Sequence, residues 1–322
     1  MQSPSKIVVL GTGGTIAGSA ASPDDAVSYR AGALPIAGLL ADLPVPPGIS
    51  LESEQVAQLD SKDMDFATWR RLAERAALHL ARSEVSAVVV THGTDTLEET
   101  AYFLQRVLAP PKPVVFTAAM RPATARLSDG PQNLADAFAV AATPGARGVV
   151  VVLAGTVLSA LDVRKVHPYR LAAFAAGDAG PIGRVEEGHL RRGRDWPQQA
   201  APPIGVDALP ADPSAWPAVA IVTSAAGVEA RAVRALVDAG YVGIVVAATG
   251  NGRVHTALEA PLREAMARGC AVLRSTRCLD GTVIDVPGSG AEALPSAGAL
   301  TPQQARVELI LRLLGRGDRP RA

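Results

Sequence analysis

The sequence predicts an α/β protein with two domains, a larger N-terminal domain with a mostly parallel sheet and a smaller C-terminal parallel α/β domain. Short strands that are apolar on both faces alternate with amphipathic helices, a pattern typical of a buried parallel sheet. In the larger domain, strands are predicted at 6–10, 85–90, 114–117 and 149–153, with helices at 68–82, 97–108 and 133–142.

A second set of alternating elements occupies the C-terminal part of the chain. Its predicted strands are 219–223, 242–248 and 271–275, and its helices are 229–239, 256–268 and 302–314. The segment between the two sets is rich in Pro, Arg and Ala and lacks a clear period, which indicates a linker. The predicted organisation is therefore a domain at 1–190, a linker at 191–217 and a domain at 218–322.

Composition excludes several classes of function. The 31 Lys and Arg residues balance the 31 Asp and Glu residues, so no net field attracts nucleic acid or an anionic membrane. No apolar run approaches the length of a membrane span, and the run 7–10 is too short for the core of a secretory signal. We expect a cytoplasmic protein with no nucleic-acid or membrane partner. Cys270 and Cys278 show no metal or disulfide pattern, and we expect both to be packing residues.

Two polar turns directly follow predicted strands, which is where α/β proteins place their chemistry. Residues 91–96 (THGTDT) precede the helix 97–108; alone, they equally fit turn and capping chemistry, since Thr96 and Glu99 match a capping box. Residues 11–18 (GTGGTIAG) lack the spacing of a dinucleotide fingerprint and the lysine of a P-loop. We interpret this second turn as one that presents the hydroxyls of Thr12 and Thr15.

With these motifs the chain resembles the bacterial-type L-asparaginases and glutaminase-asparaginases. Residues 12–18 (TGGTIAG) and 91–101 (THGTDTLEETA) match the signature motifs of that family, and as a pair they are highly specific. Further matching segments follow in the family's order: DSKDM at 60–64, AMRP at 119–122, DGPQNL at 129–134, DVRK at 162–165 and GNG at 250–252. The resemblance spans most of the chain.

The resemblance implies hydrolysis of L-asparagine to L-aspartate and ammonia through a threonine nucleophile and an acyl-enzyme. It assigns Thr15 as the nucleophile and Tyr29 as its hydrogen-bond partner. Thr94, Asp95 and Lys165 form the implied second catalytic cluster, in which a lysine between a hydroxyl and an acid can act as a base. The resemblance implies no metal and no organic cofactor, and it implies a homotetramer built as a dimer of dimers.

The implied substrate site holds a small molecule, L-asparagine, and is formed by Gly14, Ser61, Lys62, Gly93, Thr94, Asp95 and Asn251. Many relatives carry Gln where this chain has Lys62, and a second positive charge beside the substrate ammonium would weaken binding. Some members also supply a Glu from a neighbouring subunit, but the acids of segment 279–290 give no aligned counterpart. We expect His92 to have a structural role.

Other interpretations stay open at this level. Within enzymes, they are a glutaminase-asparaginase of broader specificity and an amidase acting on misacylated tRNA, although the neutral charge disfavours the latter. From another class, the chain could be a catalytically silent amino-acid sensor of the same fold. Individually, Thr15 and Thr94 also fit ordinary turn residues, Lys165 a solvated loop charge, and Tyr29 a surface aromatic.

Overall fold

A computed structural model of the chain describes residues 5–41, 43–199, 201–285 and 294–315. The chain divides into two compact units, Met1–Asp207 and Ala208–Ala322. This division falls inside the predicted linker 191–217, and the predicted domain limits stay predictions.

The first unit is built around one mixed sheet. Its strands are β1 (Ser5–Gly13), β2 (Ser19–Ala20), β3 (Tyr29–Arg30), β4 (Ile49–Leu59), β5 (Val85–Thr91), β6 (Pro113–Thr117), β7 (Gly148–Leu153), β8 (Thr156–Ser159), β9 (Arg164–Lys165), β10 (Phe174–Ala175), β11 (Gly183–Glu186) and β12 (His189–Arg192). The main sheet has the order β12-β11-β8-β7-β6-β5-β1-β4, while β2 pairs with β3 and β9 with β10 in small ribbons. Strands β4, β1, β5, β6 and β7 run parallel, so their carboxyl ends share one edge.

Helices cover this sheet: α1 (Ile36–Leu40), α2 (Phe66–Leu80), α3 (Leu97–Leu108) and α4 (Gly130–Ala141). The β6 and β7 side chains are buried throughout, as expected for parallel strands covered on both faces. Helix α2 begins two residues before the predicted start at 68, because the Asp65 side chain accepts a 2.7 Å hydrogen bond from the Thr68 backbone N–H and caps the helix there.

The antiparallel part of the main sheet was not predicted. Strands β8, β11 and β12 have four residues each, too few for a period-2 pattern to stand out from the surrounding sequence. Their positions are set by pairing to β7 and to one another, so local sequence alone does not specify them.

The second unit is a smaller parallel α/β layer. Its strands β13 (Val219–Thr223), β14 (Gly243–Ala248) and β15 (Ala271–Thr276) pair in that order, all parallel. Its helices are α5 (Arg231–Asp238), α6 (Thr256–Ala267) and α7 (Pro302–Gly315). Buried Val233, Leu258 and Leu262 from the helices pack with Ile244 and Val246 of β14.

Both cysteines are free, and they differ in their surroundings. Cys270 is buried, and burial raises the pKa of its thiol, as fits a packing residue. Cys278 is exposed, so its predicted packing role is wrong. It lies in a turn directly after β15, where the chain leaves the core. Within the described ranges, no helix is long and apolar enough to cross a bilayer.

Candidate active site

Three loops meet at the carboxyl edge of β4, β1 and β5, the order in which these strands lie in the sheet. Gly14 and Gly93 make that meeting possible: a Cβ added to Gly14 would lie 2.2 Å from the Gly93 Cα, and one added to Gly93 would lie 2.4 Å from the Ser61 Oγ. Gly14 also has a φ of 79°, which other residues rarely adopt. The backbone of the β1 loop therefore lies directly against that of the β5 loop.

Thr15 and Tyr29 form the first functional pair. Their side-chain oxygens are 2.7 Å apart, and Thr15 is only 8% exposed. Thr15 begins a short 3-10 turn just after β1, and Tyr29 lies in β3 of the β2–β3 ribbon. The Gly32 backbone N–H donates to the Gly14 carbonyl at 2.9 Å, which returns the chain to the same edge after the ribbon. A tyrosine hydroxyl at this distance can exchange a proton with a threonine hydroxyl.

Thr94, Asp95 and Lys165 form the second cluster. The Lys165 Nζ donates to the Thr94 Oγ1 at 2.9 Å and to the Asp95 Oδ1 at 2.6 Å. The Lys165 side chain is 19% exposed and that of Asp95 54%, so the carboxylate also faces solvent. The lysine reaches Thr94 from β9, 71 residues along the chain. The cluster thus combines a hydroxyl, a cation and a carboxylate that remains accessible to a ligand.

Ser61 joins the β4 loop to the β5 loop. Its Oγ accepts a 3.2 Å hydrogen bond from the Asp95 backbone N–H, and its carbonyl accepts from the Thr96 Oγ1 at 2.8 Å. The proposed capping box of Thr96 and Glu99 is therefore wrong: Thr96 is the N-cap of α3, but its hydroxyl makes no capping bond. A tertiary contact took the place of the local one. Nor does Asp95 cap the helix, since its carboxylate binds Lys165.

The Lys62 ammonium is held by two neighbouring acids. Its Nζ donates to Asp60 Oδ2 at 3.0 Å and to Asp63 Oδ2 at 2.8 Å, and the side chain is 62% exposed. The hydrogen bonds that the ammonium donates to Asp63 and, second, to Asp60 raise the pKa of Lys62. The positive charge of Lys62, which was expected to weaken substrate binding, is thus paired with two carboxylates and exposed to solvent.

Asn251 lies in the second unit, directly after β14. Its side-chain Nδ2 donates to the Ile284 carbonyl at 2.9 Å, and its Oδ1 accepts from the Ile284 N–H at 2.7 Å. The amide therefore braces a loop of the second unit, and its assignment to the substrate site stays a prediction.

His92 supports the β5 turn and is fully buried. Its Nδ1 lies 2.7 Å from the Gly93 carbonyl, and because that oxygen can only accept, Nδ1 carries the proton. Burial lowers the pKa of the imidazole to about 4. The ring is therefore neutral at pH 7 and fixes the turn, as predicted.

The sequence analysis missed Glu98. Its side chain is buried in the first turn of α3, and Oε2 accepts a 2.5 Å hydrogen bond from the Lys165 backbone N–H. Burial raises the pKa of the carboxyl to about 7. The available signal was its spacing: Glu98 falls on the helix face of the buried Ala101 and Tyr102, where an acid is unusual. Among described residues, no group of three or more His, Cys, Asp or Glu could hold a metal.

The fold and site define a class of protein, a two-domain α/β protein with two hydrogen-bonded threonine hydroxyls at the carboxyl edge of its parallel strands. Residues 6–198 match the family model "Asparaginase, N-terminal", and residues 218–322 match "Glutaminase/Asparaginase C-terminal domain". The chain belongs to the asparaginase family and is a hydrolase acting on amide bonds.

Similar proteins carry several names. The chain is 37% identical to "L-asparaginase 2" of Escherichia coli K12 and 36% identical to "Probable L-asparaginase periplasmic" of Haemophilus influenzae, each alignment covering 95% of this chain and 88% of the relative. It is 34% identical to "Glutaminase-asparaginase" of Pseudomonas fluorescens, over 95% of this chain and 86% of the relative. A solved "Probable Cytoplasmic L-asparaginase" from Campylobacter jejuni matches with a TM-score of 0.88 and 37% identity, over 96% of this chain and 95% of the other.

Proposed function

We propose that the protein is an L-asparagine amidohydrolase that converts L-asparagine and water to L-aspartate and ammonia. One observation carries the proposal: Thr15, bonded to Tyr29, and Thr94, bonded to Lys165, lie on two loops that are in backbone contact at Gly14 and Gly93. Two hydroxyls with separate proton-transfer partners suit a reaction that both forms and hydrolyses an ester.

In the first half of the reaction, the Thr15 Oγ attacks the side-chain carbonyl carbon of asparagine. Tyr29 accepts the hydroxyl proton as it gives up its own phenolic proton, which is passed to the leaving nitrogen. The negative charge on the amide oxygen is stabilised by backbone N–H groups near Gly93 and Thr94. The C–N bond then breaks, the leaving nitrogen takes up a proton, and ammonia departs. The product is an ester between Thr15 and the aspartyl group.

In the second half, water hydrolyses this ester. Lys165 and Thr94 relay the proton taken from the water, while Asp95 orients the lysine through their 2.6 Å contact. Aspartate leaves and Thr15 regains its hydroxyl proton. The α-carboxylate and α-ammonium groups are assigned to Ser61 and Asp95, and the backbones of Gly14 and Gly93 complete the proposed substrate site.

Two other functions remain as alternatives. The glutaminase-asparaginase relative supports a broader amidohydrolase that also accepts glutamine. A silent amino-acid sensor would bind asparagine without turnover. Ammonia release measured with asparagine and with glutamine separates all three.

The test is Thr15→Ala in a coupled ammonia assay. We expect kcat to fall about 10²- to 10⁴-fold with the fold intact, because the change removes the nucleophile and little volume. Thr143→Ala is the control, because the Thr143 hydroxyl donates to the Ala139 carbonyl at the end of α4, and it should keep wild-type turnover. Near wild-type activity in Thr15→Ala would contradict the assigned nucleophile.

Assembly and location form a further part of this proposal. We infer a homotetramer, a dimer of dimers, which sedimentation analysis of the purified protein would test.

We also infer a cytoplasmic location, which the Campylobacter neighbour supports and the periplasmic Haemophilus relative opposes. Fractionation of cells expressing the native gene decides between the two compartments.

A further inference from the structure

Glu98 is a buried carboxyl in the active-site region that the proposed mechanism does not use. Glu98 is 9% exposed, and its Oε2 accepts a 2.5 Å hydrogen bond from the Lys165 backbone N–H. Placing a carboxyl in such an environment costs free energy unless its hydrogen bonds compensate. The position therefore calls for an explanation beyond packing.

The backbone of β9 explains why this hydrogen bond is needed. In the β9–β10 ribbon, the N–H of Val166 points to β10 and donates to the Ala173 carbonyl at 2.8 Å. Successive N–H groups of an extended strand point to opposite sides, so the N–H of Lys165 points away from β10. Glu98 supplies the acceptor on that side. Without its carboxylate, the short ribbon would lose its attachment to α3 at the lysine itself.

The side-chain ammonium and the backbone N–H of Lys165 are both bound by residues 94–98. The ammonium binds Thr94 and Asp95, immediately before α3, and the backbone N–H binds Glu98 in its first turn. Glu98 follows Thr94 by four residues and Asp95 by three, so the groups that bind the two ends of Lys165 belong to one short segment at the start of α3. This segment thereby fixes both the backbone and the ammonium of a side chain that is otherwise flexible.

We propose that Glu98 is a positioning residue for Lys165, holding the lysine backbone on α3 so that the ammonium is aimed at Thr94 and Asp95. The proposal rests on the proposed function, because it assigns Glu98 to the proton-transfer lysine of that reaction. Glu98 itself touches no reacting atom. Its effect is on kcat, because a displaced lysine transfers protons less well while the substrate grips remain.

The charges around Glu98 give this role a pH dependence. Burial is the main reason that the pKa lies at about 7; the neighbouring Glu99 raises it, whereas the Lys165 N–H and the charges of Arg164 and Lys165 lower it. The ionised carboxylate accepts a stronger hydrogen bond than the protonated acid. The hold on Lys165 should therefore strengthen, and kcat should rise, as pH increases through about 7.

Two substitutions separate the hydrogen bond from the charge. Glu98→Ala removes the acceptor, and we expect kcat to fall at least about tenfold with KM changed less than about twofold. Glu98→Gln keeps an acceptor oxygen but cannot ionise, so it should retain most of kcat and lose the rise near neutral pH. Asp136→Asn is the matched control: it removes another buried carboxyl of raised pKa, on α4, and should keep the wild-type pH profile.

A readout independent of turnover accompanies these assays, namely hydrogen exchange of the Lys165 backbone amide in the full-length protein. Exchange should speed up in Glu98→Ala and change little in Glu98→Gln. Wild-type kcat in Glu98→Ala, or an unchanged neutral rise in Glu98→Gln, would overturn the positioning role. If the wild type releases no ammonia from asparagine, the proposed function fails, and unchanged amide exchange in Glu98→Ala separately overturns the role of Glu98.

Discussion

At the scale of single residues, the site depends on how each hydroxyl is partnered. A threonine hydroxyl is a weak nucleophile at neutral pH and needs a neighbour to take its proton. Thr15 has Tyr29 at 2.7 Å and Thr94 has the Lys165 ammonium at 2.9 Å. Tyr29 can accept the Thr15 proton by passing on its own, whereas Lys165 can accept one from Thr94 only after its ammonium has given a proton up. The two threonines therefore have chemically different partners, and the proposed reaction assigns them different roles.

Lys165→Met tests the role of the lysine. The substitution keeps much of the side-chain volume and removes the ammonium that binds Thr94 and Asp95. We expect kcat to fall about 10²- to 10⁴-fold with a smaller change in KM, because the lysine is assigned to proton transfer. Steady-state kinetics with asparagine make the measurement. An effect confined to KM would instead place Lys165 among the groups that bind substrate.

Lys62→Gln tests how far the extra charge matters. Since the ammonium is exposed and already paired with Asp60 and Asp63, we expect KM for asparagine to change by less than about twofold and to depend little on salt. Titration of KM at low and high ionic strength checks this. A markedly lower KM, with the gain shrinking in salt, would show that the charge faces the ligand.

At the scale of elements, the site is a crossing of loops at the carboxyl edge of a parallel sheet. Strands β4, β1 and β5 are neighbours, so the loops after them must pass one another in a narrow space. Glycines at 14 and 93 allow the backbones to touch, and Ser61 ties the third loop to the N–H of Asp95. Rigid packing of backbone against backbone holds the catalytic groups without the cost of ordering long side chains.

Gly93→Ala tests this crossing. The new Cβ would lie 2.4 Å from the Ser61 Oγ, so either Ser61 or the loop must move. We expect a loss of about 1–3 kcal/mol in the free energy of unfolding, as for other overpacked sites, and a large loss of activity. Gly193→Ala is the control, because its φ is not in the left-handed region and nothing lies within 4 Å of its added Cβ. Denaturant unfolding and activity assays of both variants make the measurement; a Gly93→Ala variant as stable and active as Gly193→Ala would argue against the crossing.

At the scale of the whole molecule, two buried titrating groups couple stability to pH with opposite signs. The carboxyl of Glu98 has a pKa of about 7 against an ordinary 4.5, so the folded protein binds more protons than the unfolded chain between these values. Stability from this group is present at low pH and falls as pH rises. The pKa of His92 is lowered to about 4 from 6.5, so its contribution is lost as pH falls through that range.

Comparison of the wild type with Glu98→Gln isolates the first of these groups, because both proteins keep His92. We expect the free energy of unfolding of the wild type, relative to the variant, to decrease as pH rises from about 4.5 to about 7 and then to level off. Chemical denaturation at a series of pH values provides the test. A difference that does not vary with pH would mean that Glu98 titrates normally.

The local pattern of the chain was sufficient to predict much of the molecule. Alternation of doubly apolar strands with amphipathic helices predicted the parallel sheets of both units, because burial on both faces demands such runs. The polar turns after β1 and β5 were visible as interruptions of apolar runs. Two kinds of feature were harder to predict from the sequence. The start of α2 at Phe66 depends on one capping side chain, and the short strands β11 and β12 depend on their pairing with each other.

By itself, then, the sequence determined the fold class, the positions of the two polar turns after β1 and β5, and the family. Only the tertiary structure decided which groups meet: Lys165 with Thr94 across 71 residues, the hydroxyl of Thr96 with Ser61 instead of a capping bond, and Glu98 with the backbone of Lys165. The physical reason is range. Periodicity and turn chemistry act over a few neighbouring residues, whereas strand order and the close approach of loops bring together side chains that no local pattern connects.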